Sequence, residues 1–288
     1  MIAKKGFIKL VLVCSAVMGA SGQSLNWEGQ TGIYTTPLAS VAASKAGEAG
    51  RPVVGYHYLN GGDTMGAWHS VSVTEGFAGR AEFGYTRTMM SAGSNPALSP
   101  LWKGGYNIVH GKVNIVPSEL SKKAWMPAVS AGFVARMGDG NVSGVLGGNQ
   151  TYANGDIYMV ATKVITQTKK VPILLNFGYK GTNASALGLA GNAPGWKGRA
   201  FGGVGFVVTG PAKSTLIFAA EISQQQKSVK NLPGVVMPTM LAYAVRIVPT
   251  EKSKFNVDLG MAQIAGRIAP GVDLKLRKQL VLGVSYAF

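Results

Sequence analysis

A chain of 288 residues with a formal net charge of +16 but only 14% charged residues is basic without being densely charged. Nucleic-acid binders this basic gather Lys and Arg on one face, whereas Lys122-Lys123, Lys169-Lys170 and Arg277-Lys278 stand apart, so nucleic acid is excluded as the expected partner. Forty glycines point to many turns, and a single cysteine excludes a disulfide framework.

Residues 1–22 read as a secretory signal peptide. Lys4, Lys5 and Lys9 precede the apolar run from Leu10 to Met18, and small residues follow, so cleavage is expected near Ala20 or Gly22. The run is too short to span a bilayer as a helix. Cys14 lies inside it and is preceded by Leu12-Val13 rather than small residues, so neither lipid anchoring nor thiol chemistry is expected of the mature chain. Removing the three signal lysines from +16 leaves +13, a balance suited to lipopolysaccharide or anionic solutes.

Residues 23–52 are the least strand-like part and are expected to form either a periplasmic lead-in or a plug inside whatever follows. From residue 53 the pattern becomes regular. About twelve strands are expected: 53–59, 67–74, 78–88, 105–116, 127–137, 155–165, 172–181, 197–208, 214–223, 238–248, 254–263 and 279–288. Most approach the roughly 9 to 11 residues that a tilted strand needs to cross a bilayer. No apolar run after the signal reaches the length of a transmembrane helix, so a mature chain in the membrane must be a closed barrel. The connections alternate between short and long, as they do in outer-membrane barrels with short periplasmic turns and long outer loops. With an even strand number, this phase puts both termini in the periplasm.

Alternation within strands separates a lipid face from a lumen face. In Phe255-Asn-Val-Asp-Leu-Gly-Met261, the residues Phe255, Val257, Leu259 and Met261 face one way, and Asn256, Asp258 and Gly260 the other. By this parity the expected pore-lining residues are Arg80, Glu82, His110, Lys112, Arg136, Asp156, Lys180, Glu221, Arg246 and Asp258, with Asn114 among them. Lys163 and Arg199 are left open. Tyr85, Tyr179, Tyr243, Tyr286 and Phe288 fall on the outward series, suited to aromatic girdles. The charges give a lumen of mixed sign, in which Arg80, Glu82, His110 and Lys112 are expected either to line a constriction that favours anions or simply to pair across strands and fill a narrow lumen.

Enzymatic readings find little footing. A twelve-stranded outer-membrane phospholipase uses a Ser-His pair, but Ala67-Trp-His-Ser-Val-Ser-Val73 around His69 lacks the glycine-rich nucleophile motif. His57, His69 and His110 do not show metal-ligand spacing, and the glycine runs at Gly144 and Gly202 lack a phosphate-loop lysine, so no cofactor is expected.

Two stretches carry resemblances. Leu280, Leu282, Val284, Tyr286 and Phe288 occupy alternate positions up to the final carboxylate. This stretch resembles the carboxy-terminal signal strand of Gram-negative outer-membrane β-barrels, which implies that the barrel-assembly machinery reads these residues as a membrane-insertion signal. Gly29-Gln-Thr-Gly-Ile-Tyr-Thr-Thr-Pro37 is similar to the opening of outer-membrane barrels linked to exopolysaccharide export and of a related set without assigned function. The expectation is an all-β transmembrane antiparallel up-and-down barrel, residues 53–288, in the outer membrane. It would act as a modest-bore passive channel for small, possibly anionic solutes, or else as a non-conducting envelope barrel associated with polysaccharide, its lumen plugged by the amino-terminal segment.

Overall fold

The computed structural model describes residues 24–91, 93–94, 104–117, 125–138, 152–166, 171–230, 232–250 and 253–288. The expected signal peptide lies outside the described residues. The first strand is β1 (Val53–Asn60), followed by the one-turn helix α1 (Gly62–Met65), β2 (Ala67–Phe77), β3 (Ala81–Ser91), β4 (Tyr106–Val116) and β5 (Ala128–Gly138). Next come β6 (Ala153–Ile165), β7 (Ile173–Ala184), β8 (Asn192–Thr209), β9 (Thr215–Ser223), β10 (Ser228–Val229) and β11 (Leu232–Val236). The chain ends with β12 (Met240–Val248), β13 (Phe255–Gln263), β14 (Ala265–Ala269), β15 (Val272–Leu276) and β16 (Gln279–Ala287).

Twelve of these strands form a closed barrel in the order β1-β16-β13-β12-β9-β8-β7-β6-β5-β4-β3-β2. Every neighbouring pair is antiparallel, and closure comes from β1 on β16, in register from Val53↔Ala287 to Leu59↔Val281. Closure matters because lipid offers no hydrogen-bond partner to a free sheet edge. No described helix is long and apolar enough to cross a membrane, so the crossing is made by strands. The small hairpins β10–β11 and β14–β15 lie within connections expected to be plain loops.

The period of two sorts the wall. On β7, Leu175, Phe177 and Tyr179 point outward, whereas Leu174, Asn176, Gly178 and Lys180 are buried inside. On β13, Phe255, Leu259 and Met261 are exposed, and Asn256 and Asp258 are buried. The outward series is predominantly apolar, including Phe83, Ile157, Phe218, Tyr243 and Leu280. Such an exterior is stable only against hydrocarbon. Phe177, 65% exposed in mid-strand, supplies a test. Phe177→Arg is expected to lower folding stability in vesicles by about 2–4 kcal/mol, measured by urea titration of the lipid-inserted protein.

Short turns, with both ends of the strand series, gather at one mouth. Long connections gather at the other. One expected turn is displaced: Glu75–Phe77 stay in β2, paired with Phe83, Glu82 and Ala81, and the chain reverses at residues 78–80. The cause is local, since Ala78 (φ 53°) and Gly79 (φ 67°) adopt the left-handed conformations that a tight hairpin of the barrel's twist demands. Arg80 therefore sits exposed in the turn rather than on the lumen face, which corrects its expected place among the pore-lining residues.

Candidate functional site: the occupied lumen

The lumen is filled by the chain's own residues 24–42. Every residue from Ser24 to Ala39 is buried, Thr35 most loosely at 8% exposure. The segment makes two successive reversals, marked by the bridges Leu25↔Thr31 and Gly32↔Pro37. Asn26 builds the first, because its Oδ1 accepts from the amides of Glu28 and Gln30, both at 3.0 Å. Gly29 (φ 87°) takes the left-handed corner, where a Cβ would overlap Thr86 Oγ1 of the wall. In the second reversal Ile33 donates to the Thr36 carbonyl at 3.0 Å. Residues 44–50 then lie along the short-turn mouth, where Gly50 donates to the Gly76 carbonyl and Ser44 Oγ accepts from Gly79.

Amide and carbonyl groups excluded from both water and a regular ladder need other partners. Inward-facing side chains of the wall supply them. The Glu221 carboxylate accepts from the amides of Tyr34 (2.9 Å), Thr35 (3.1 Å) and Thr36 (2.7 Å) and from the Thr36 hydroxyl. Glu82 accepts from the Thr31 amide and hydroxyl and from the Ala42 amide. Lys112 Nζ donates to the carbonyls of Thr31 and Leu38 at 3.0 and 2.8 Å. Arg246 donates to the carbonyls of Gly32 and Ile33. Smaller groups complete the set: Ser70 donates to Trp27, Thr74 to Gly29, Thr86 to Glu28, Ser130 to Ala39 and Asn176 to Pro37, each on the backbone carbonyl. His57 Nε2 lies 2.9 Å from the Leu25 carbonyl.

Among the described residues, one ion pair joins segment to wall through a shared cation. Arg136 reaches Glu28 of the segment at 2.5 Å and Asp156 of β6 at 2.9 Å, and Lys180 reaches the same Asp156 oxygen at 3.1 Å. The other buried pairs are internal to the wall, Lys112–Glu82 at 3.0 Å and Arg246–Asp258 at 2.7 Å. Arg246 and Asp258 face one another in register across β12 and β13, as Glu82 and Lys112 do across β3 and β4.

Glu82, His110, Lys112, Arg136, Asp156, Lys180, Glu221, Arg246 and Asp258 are thus all buried on the inner face, and so is Asn114. His110 contacts Thr74 Oγ1 at 3.2 Å, with Gly84 opposite it leaving no room for a Cβ. Of the two residues left open, Arg199 is half-buried and bonds Gln225, and Lys163 is half-buried and donates to the Met126 carbonyl. His69 sits on the outer series with Tyr56 Oη at 2.8 Å, whereas His57 is fully buried inside. Leu280 and Tyr286 of β16 and the terminal Phe288 are exposed on the outer series, and Leu282 and Val284 between them are half-buried. Among the described residues no group of three His, Cys, Asp or Glu side chains could hold a metal. The voids left between segment and wall are small. One of about 20 Å³ lies beside Ile33 and Leu38, and one of about 10 Å³ beside Glu28 and Gln30.

Residues of the segment itself carry the contacts that strand parity does not reveal: Asn26, Glu28, Gly29, Thr31 and Thr35-Thr36. A legible signal existed in the wall. Ser70, Ser72 and Thr74 alternate with the outward Val71 and Val73, so β2 shows the lumen a row of hydroxyls, which need partners.

A closed antiparallel barrel, apolar outside and polar inside, defines a transmembrane β-barrel of the Gram-negative outer membrane. Residues 22–200, more than half of the chain, match the family described as "Protein of unknown function (DUF3034)", and the chain belongs to it. No curated protein matches it in sequence. Among solved structures it is similar to the NanC porin (12% identity, TM-score 0.49, covering 82% of this chain and 100% of that one). It is similar also to the KdgM porin (10% identity, TM-score 0.46, 82% and 99%) and to the outer membrane protein Omp33 of Acinetobacter baumannii (9% identity, TM-score 0.38, 84% and 100%).

Proposed function

We propose that the protein is a modest-bore channel of the outer membrane, held closed by residues 24–42 acting as a plug that withdraws to admit small solutes. One observation carries this reading: the wall pairs its own charges. If the segment leaves, Lys112 keeps Glu82, Arg136 and Lys180 keep Asp156, and Arg246 keeps Asp258. Among the described Asp, Glu, Lys and Arg side chains of the inner wall, Glu221 alone is held by the segment and by no wall charge, and it would then face water. A core that remains satisfied without one of its parts suits a removable part. Twelve strands suit a bore between a side-chain-filled eight-stranded barrel and a wide porin.

On this reading the pore wall is Glu82, His110, Lys112, Arg136, Asp156, Lys180, Glu221, Arg246 and Asp258. With Arg80 outside it, four basic residues balance four acidic ones. An anionic solute would meet Lys112 and Arg246 once the segment's carbonyls release them. Both termini would face the periplasm, the plug entering from that side, with β16 addressing the assembly machinery and the exterior facing lipid and lipopolysaccharide. No catalysis is assigned.

The density of plug-to-wall hydrogen bonds favours a second reading, a permanently closed envelope barrel. Any involvement with polysaccharide rests there on the resemblance of Gly29–Pro37. Liposome swelling separates the two. Vesicles with the intact protein should take up sugars no faster than lipid alone, and deletion of residues 24–42 should admit pentose-sized solutes, with rates falling as solutes grow. A folded deletion variant as tight as the intact protein would rule out the channel.

A further inference from the structure

Beyond the channel reading, and without depending on it, we infer that the long-connection mouth holds a binding site for a small uncharged apolar molecule. Four separate connections converge there over the plug. Met65 comes from the β1–β2 connection, Leu189 from the β7–β8 connection, Met237 from the stretch before β12 and Ile264 from the stretch before β14, while Leu59 at the end of β1 and Trp68 of β2 close the side. They enclose about 40 Å³, the largest void described above or here, and the lining is almost wholly carbon. Three of these residues, Leu59, Leu189 and Ile264, also border a smaller void of about 10 Å³ whose floor is Trp27 and Tyr34 of the plug.

The chemistry of this mouth differs from that of the lumen below it. Residues 28–36 are held by charged and hydroxyl groups of the wall, whereas a water in the upper cavity would find almost none of the two to four partners it needs. An apolar void of this kind stays dry and accepts apolar guests. Met65 and Met237, unbranched and adaptable, are the side chains able to shift for a guest larger than the resting space. The chemical class is a short alkyl chain or, once Met65 and Met237 move aside, a single uncharged aromatic ring, which is larger than the resting 40 Å³. A charged group would lose its hydration there and find no counter-ion in the lining.

The test is protection from alkylation in the full-length barrel, in a Cys14→Ser background, with Ala190→Cys at the cavity lining, Met65→Cys as a second reporter should the first not fold, and Val272→Cys at the exposed tip of β14–β15 as control. At a toluene concentration several times its dissociation constant, iodoacetamide should modify the cavity cysteine about fivefold more slowly, with Val272→Cys unchanged and benzoate without effect. Equal cavity rates with and without toluene in a folded barrel, equal slowing at Val272→Cys, or protection by benzoate as strong as by toluene would overturn the site. The plug stays in place throughout, so failure here leaves conduction untouched, and a silent channel leaves this site standing.

Discussion

Arg136→Met is expected to destabilise the folded barrel by about 3–5 kcal/mol, the cost of stranding buried charge. Arg136 is the group that ties Glu28 of the internal segment to Asp156 of the wall, with its side chain wholly out of solvent. Its removal leaves two buried carboxylates facing one another, with Lys180 in reach of Asp156 alone. The least costly response is for Glu28 to leave and take the segment with it. The loss should therefore appear in two ways: a lower urea midpoint of the vesicle-inserted protein, and faster hydrogen exchange across residues 26–31 than across β6. Adding Glu28→Gln should recover part of the loss, because the stranded charge is gone, and the two changes should be strongly non-additive. Additive effects would place Glu28 and Arg136 in separate networks.

Glu221→Ala is expected to have the second large effect, of a different kind. Its carboxylate is the acceptor for three successive amides, Tyr34, Thr35 and Thr36. Each buried donor left without a partner costs about 1–3 kcal/mol. That total is avoided if the second reversal swings out into water. Exchange of the residue 34–36 amides should rise at least about a hundredfold, since loss of about 3 kcal/mol of protection is a factor of that order. The amides of β9, held by β8 and β12, should change little. Glu221→Gln keeps one oxygen acceptor and should fall between. Equal acceleration in segment and wall would mean that Glu221 supports the barrel rather than its contents.

The barrel was legible in the sequence because its physics is periodic. Alternation at Phe255–Met261 survives intact in β13, and β7 obeys the same rule, since a strand buried on a polar side and wet by lipid on the other must alternate. Strand ends were less legible. Lys254 and Pro172 lie just outside their strands, and the β2–β3 turn moved by three residues because Ala78 accepts a positive φ that its residue type does not advertise. That shift removed Arg80 from the lumen. The hairpins β10–β11 and β14–β15 are too short for periodicity to register. Asp273 and Arg277 pin the second of them through two side-chain hydrogen bonds, which also hold the Asp273 carboxyl below its usual range.

The internal segment was hardest to read. Its residues follow no period because no ladder holds them. Thr31 and Thr36 are placed by wall groups far along the chain, Thr31 by Glu82 at a separation of 51 residues and Thr36 by Glu221 at 185. A sequence displays neighbours along the chain, and here the partners meet only after closure. The same wall charges that parity marked as pore-lining are therefore, in the closed barrel, the anchors of what fills the pore.

Single-channel recording in planar bilayers tests the central claim most directly, with the intact protein, Arg136→Met and the deletion of residues 24–42 compared at the same voltage. The account predicts that the intact barrel is silent or opens rarely, that Arg136→Met opens in bursts, and that the deletion conducts in steady steps. Steady conductance of the intact protein from the moment of insertion, unchanged by either alteration, would contradict it.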